Sequence, residues 1–176
     1  MKKLTLLIIA IFCLVVSGYS EAETTRKDFD EFCANHIGLW TGEVASIIGE
    51  SRVGKKGESE TYYWESKLTN GGKLLTNKSV GPKGSSTLVS YYDIVSKKIC
   101  TTGVSSSGLV NQHKIHREGD KWIRLTHQTS PDGTIRKFMS TVTFSKNENA
   151  IIVVINLMKD KSIVSTQTNV WHRVEK

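Results

Sequence analysis

The sequence predicts an all-β protein: an up-and-down antiparallel β-barrel of about ten strands, preceded by a short N-terminal helix. Three observations carry this reading. From Trp40 onward polar and apolar residues alternate with a period near two, as strands with one buried face do. Compact turn clusters such as "NGG" (70–72), "EGD" (118–120) and "SPDG" (130–133) separate the alternating segments. No helix-length apolar pattern interrupts the series, and its two prolines both fall in turns.

Residues 1–22 are expected to be an address rather than part of the fold. Lys2 and Lys3 precede an apolar run from Leu4 to Val16, and Ser20-Glu21-Ala22 has the small-x-small form of a cleavage site. This is the pattern of a secretory signal peptide. The run is shorter than the roughly 18–20 residues of a membrane span. Cleavage near Ala22 leaves residues 23–176 as one domain, periplasmic or extracellular, without a stable membrane anchor. It removes Lys2, Lys3 and Glu21, which lowers the formal net charge of +7 by one.

"TTRKDFDEFCANHIG" reads as one helix. Thr25 is placed to cap it, with Asp28 three residues on. Phe29, Phe32, Cys33 and His36 fall on one face, and Gly38 stops it. Ten strands follow at about 40–48, 60–68, 73–80, 86–95, 98–104, 109–117, 121–129, 134–145, 150–158 and 162–174, with one long connection at 49–59. Short connections make consecutive strands antiparallel neighbours, and closure into a barrel hides the two edges. A two-sheet sandwich is the alternative, but it usually needs longer crossing connections. Cys33 and Cys100 remain after cleavage, and an oxidising compartment favours a disulfide between them. Two free thiols are the alternative, since Cys33 also lies on the apolar helix face.

A short helix, Gly38-Leu39-Trp40 opening the first strand, and Arg173 in "VWHRVEK" near the end of the last resemble the lipocalin-like barrels of the calycin superfamily. The style is nearest to uncharacterised secreted bacterial lipocalin-like domains. The resemblance implies a closed barrel base plugged by Gly38, Trp40 and Arg173, with the guanidinium packed across the indole. The lipocalin Thr-Asp-Tyr-like turn is absent, and "YYDIVSKK" occupies a comparable connection. Ten strands rather than eight bring the chain closer to barrels such as the haem-binding nitrobindins.

The inward faces expected from alternation supply a candidate pocket lined by Tyr62, Trp64, Tyr92, Asn111, His113, His127 and Phe138. Aromatic and aliphatic groups with a few amides and imidazoles suit a small apolar or amphipathic molecule. Side chains alone can also fill a small barrel, so a packed lumen acting as a protein-binding module is the alternative. His113 and His127, on neighbouring strands, are the residues that would serve haem or an isomerase-like enzyme. The nitrobindin haem histidine lies late in the chain, and the nearest match, His172, has the parity opposite to Arg173. No cofactor or metal is predicted. No Gly-x-Ser-x-Gly elbow, phosphate loop or inward carboxylate pair is present, so a binder leads over an enzyme.

The turns expected at the open mouth hold Arg52, Lys55, Lys56, Lys83, Lys159 and Lys161 against Glu50, Glu58, Asp132 and Asp160. This small surplus reads as solubilising charge. No clustered basic stripe points to nucleic acid. Asn77-Lys78-Ser79 matches a glycosylation acceptor.

Overall fold

The computed structural model describes residues 22–175 except 46–49, 52, 53, 56 and 148. The signal-peptide pattern up to Glu21, the end of the first expected strand, and Arg52 and Lys56 of the mouth lie outside the described residues.

Helix α1 spans Arg26–His36. A reciprocal capping box starts it: the Asp28 amide donates to Thr25 Oγ1 at 3.1 Å, and the Thr25 amide donates to Asp28 Oδ2 at 2.7 Å. Its buried face carries Phe29, Phe32, Cys33 and His36. The helix ends at Ile37 because Gly38 takes φ +127, a conformation that side chains other than glycine's adopt only with strain.

The strands that follow are β1 (Gly38–Ala45), β2 (Glu50–Ser51), β3 (Gly54–Lys55), β4 (Ser59–Thr69), β5 (Leu74–Gly81), β6 (Gly84–Asp93), β7 (Lys98–Ser105), β8 (Val110–Glu118), β9 (Lys121–Thr129), β10 (Ile135–Ser145), β11 (Ala150–Lys159) and β12 (Ser162–Arg173). β2 and β3 form a two-stranded hairpin inside the one long connection. The other ten strands close into an antiparallel barrel in which β1 pairs with both β4 and β12. The sandwich alternative is thereby excluded.

One end of the barrel is shut by α1 and the turns around it. The Arg26 guanidinium donates to the Gly72 carbonyl at 2.9 Å, and the Thr24 amide donates to the Lys97 carbonyl at 2.9 Å. Arg117 Nη1 donates to Glu31 Oε2 at 2.6 Å. These contacts tie the β4–β5 turn and the end of β8 to α1, and the β6–β7 turn to the residues leading into it. Above the helix lie aromatic rings: Phe32 meets Trp122 edge-on at 5.3 Å, and Trp64 packs on Trp171 at 4.4 Å.

The closing seam lies here as well. Trp40 is opposite Arg173 in the β1–β12 register, and the guanidinium carbon stands 4.2 Å from the indole centroid, a cation–π contact. The Trp40 indole N–H donates to the His36 carbonyl at 2.8 Å, and Arg173 Nη1 donates to the Ile37 carbonyl. Both bonds satisfy carbonyls that the helix end leaves without partners. A Cβ at Gly38 would lie 2.5 Å from Arg173 Nη1, and one at Gly42 would lie 2.9 Å from the Trp171 ring. The glycines flanking Trp40 therefore make room for Arg173 on one side and for the Val170 carbonyl and Trp171 ring of β12 on the other.

The expected disulfide is absent: Cys33 and Cys100 are free thiols. Cys33 is buried on the barrel-facing side of α1. On β7 the inward residues are Ile99 and Thr101, so Cys100 between them points outward, and the barrel wall separates the two sulfurs. Burial pushes the Cys33 thiol up to about 12, as befits an inert core cysteine.

Trp40→Ala is expected to cost about 3–5 kcal/mol, the range for truncating a large buried aromatic. Urea unfolding of the two proteins measures it, and a loss below about 1 kcal/mol would show that the seam does not depend on the indole.

Candidate functional site

Strand alternation and closure leave an interior cavity of about 570 Å³ that runs from Phe32 and His36 of α1 up to Ser107, Leu109, Ser130 and Pro131 at the opposite end. Its walls differ in chemistry. On β10 and β11 they present Phe138, Val142, Val153 and Ile155, continued by Trp171 of β12 and Val44 of β1 and interrupted by Ser140 of β10 and by Gln167 and Asn169 of β12. On β5, β6 and β7 they present Asn77, Ser79, Ser86, Ser90 and Thr101, interrupted by Leu75 and Leu88. These polar groups bond across strands: Ser79 with Ser86 at 2.7 Å, Ser90 with Thr101 at 2.8 Å, and Asn77 Nδ2 to Ser66 Oγ at 2.9 Å. A hydroxyl in such a pair still has unused acceptor capacity.

The structure brings Tyr62, Trp64, Asn111, His113 and Phe138 to the cavity wall. Tyr92 sits lower, in the base, where its hydroxyl donates to the Thr24 carbonyl at 3.0 Å and its ring packs against the core. His127 is a correction: it is exposed on the outside of the barrel. The alternating aliphatics Ile123 and Leu125 suggest that the odd residues of β9 face inward. The register opposes this. A two-residue turn pairs Glu118 with Lys121, which sets Ile115 opposite Arg124 and His113 opposite Thr126. Paired residues share a face, so Trp122, Arg124, Thr126 and Gln128 are the inner set. Ile123 and Leu125 lie outside, half-buried, with Leu125 opposite Met139 of β10.

Two further expectations meet the same geometry. Asn77 lines the cavity rather than the surface, which removes it as a glycosylation acceptor. His113 and His127 lie on opposite faces of the wall and do not form a pair. Among the described residues, no three His, Cys, Asp or Glu side chains group as a metal site.

The polar centre of the cavity is instead made of His36, His113 and Arg124. His36 Nδ1 lies 2.7 Å from the Phe32 carbonyl, which can only accept, so this nitrogen carries the proton and Nε2 is left as an acceptor. Burial, first, and then the fields of Arg124 and Arg173 hold the His36 imidazole down at about 4, against the help of that hydrogen bond. His113 Nδ1 bonds Thr126 Oγ1 at 2.8 Å, and burial together with the field of Arg124 holds its pKa at about 3. Both rings are neutral at physiological pH. Arg124 and Gln128 were legible only through the hairpin register; the local apolar pattern of β9 conceals them.

Closed ten-stranded antiparallel barrel with one helix-capped end and an interior cavity is the class that fold and site define. No protein-family model matches the chain, and no curated protein matches it.

The two histidines set a pH dependence. Each has a folded pKa below the unfolded value of about 6.5, so their contribution is fully present above that pH. It is lost as pH falls and the unfolded chain alone takes up protons. Between pH 6.5 and 4 each imidazole accounts for about 3 kcal/mol on this scale. His113→Gln is expected to lower Tm at neutral pH yet to lose less Tm than the natural protein between pH 7 and 4.5. Calorimetry across that range checks it, and parallel curves would contradict it.

Proposed function

We propose that the chain is a secreted or periplasmic lipocalin-like binding protein that holds a small amphipathic molecule in its barrel lumen. The observation that carries this reading is the cavity itself: about 570 Å³, inside the range of small-molecule pockets, with one side richer in aliphatic and aromatic groups and another richer in hydroxyls. A core packed only for stability fills such a space with its own apolar side chains. A ligand with one apolar and one hydrogen-bonding side meets both walls. Tyr62, Trp64, Asn111, His113 and Phe138 are the sequence-derived residues that support contact with it. Secretion rests on the pattern of residues 1–22. The helix-capped base supports entry from the other end, past Leu109 and Pro131.

Native mass spectrometry of the full-length chain, expressed with its signal and purified from the compartment it reaches, tests this reading. Excess mass that leaves on denaturation is the expected result, on a chain beginning near Glu23. A bare protein mass, together with no change in Tm from any amphiphile tried, would contradict it and favour a packed barrel that binds another protein.

A further inference from the structure

The lumen contains a positive charge that no carboxylate among the described residues lines up with. Arg124 lies inward on β9, one inner position above Trp122 and opposite Ser140 of β10. Its Nε is closed off from solvent and has no hydrogen-bond partner. Its Nη2 reaches Ser140 Oγ only at 3.4 Å, a long contact. Among the described residues, no aspartate or glutamate lines the cavity. Arg136, the other Arg or Lys among the described lining residues, is near the mouth, where Nη1 donates to Ser130 Oγ at 2.8 Å and Asp132 lies within its field. Burial lowers the Arg124 pKa to about 10, which leaves it charged at neutral pH.

A guanidinium in this position is unfavourable for the empty protein. A partly buried cation with no carboxylate beside it loses part of its hydration and recovers little of that by attraction, and an apolar side chain of the same length would fill the site more cheaply. Nothing in the fold requires the charge: the seam is held by Arg173 and the helix by Arg26 and Arg117. The guanidinium offers five donors in a planar fork suited to carboxylate or phosphate, and most of that fork is unused.

We infer that the lumen ligand is an anion whose carboxylate or phosphate is carried deep into the barrel onto the Arg124 guanidinium, beside Ser140 and His113, with its apolar part against Phe138, Val153 and Ile155. This rests on the lumen-binding reading above and specifies the class of ligand. The anion supplies the partner that the fold withholds, so binding and neutralisation are one event. Because Arg124 is one of the groups holding His113 neutral, a bound anion also raises the His113 pKa.

The test is calorimetric titration of the purified, ligand-stripped protein with dodecanoate, dodecyl phosphate and dodecanol, each below its aggregation limit. The natural protein is expected to bind one or both anions at least about tenfold tighter than the alcohol, the scale of a charge-assisted hydrogen bond. Whichever anion is preferred identifies the head group. Arg124→Met is expected to erase that preference while keeping dodecanol binding, and to raise the Tm of the empty protein, the opposite of what a structural arginine would do. Arg124→Gln, which keeps a polar head without the charge, gives the same loss of preference should the methionine variant fold poorly. Equal affinity of the natural protein for anion and alcohol, or a preference that survives both substitutions, would overturn the inference and leave lumen binding intact. Failure of all three probes to bind would sink the lumen-binding reading and this inference with it.

Discussion

The contact between Arg173 and Trp40 is the constraint on which the rest depends. It lies where the first and last barrel strands meet, so it fixes the register at which the sheet closes. The same two side chains hydrogen-bond the carbonyls of Ile37 and His36 at the end of α1, and so dock the helix as they close the barrel. Helix position, strand register and the shut end of the lumen are consequently set together. With the base sealed by Phe32, Trp64, Trp122 and Trp171, space remains only above it, and there the side chains are smaller and more polar.

That space is built at a cost in stability. Two imidazoles are held neutral by burial, one guanidinium is held charged without a counter-ion, and several hydroxyls bond only to one another. Local strain and unsatisfied polarity concentrate at functional sites, and here they fall in one cavity instead of being spread through the core. The core proper, from Phe29 and Ile99 to Ile151, is apolar and closely surrounded. The division between a conventional base and an expensive lumen separates what the fold needs from what a ligand would use.

Most of the architecture was legible in the sequence because turn chemistry and period-two alternation are local. "NGG", "EGD" and "SPDG" bound the strands to within a residue or two, and Thr25 with Asp28 marks the helix start. The interior was legible where the apolar pattern and the hairpin register agree, as on β1, β8, β10 and β12. On β9 they disagree. Ile123 and Leu125 imitate an inner face, although they pack on the outside beside Met139, and Arg124 looks like a surface residue. The register of the tight Glu118–Lys121 turn decides the matter, and it moves His127 out and Arg124 in. Cys33 and Cys100 suggested a disulfide by composition alone; which side of a strand a sulfur faces is not a property of spacing in sequence. The polar wall was legible only in part: alternation puts Ser90 on the same face as Leu88, but the cross-strand pairing of Ser79 with Ser86 and of Ser90 with Thr101 follows from the register.

The most direct test of this picture is a crystal structure of the protein purified from its native compartment without stripping. Continuous non-protein density in the lumen, ending in an anionic group within hydrogen-bonding distance of the Arg124 guanidinium and running along Phe138 and Val153, is the predicted result. A lumen collapsed onto its own side chains, or one holding only water with Arg124 paired to a protein carboxylate, would contradict it.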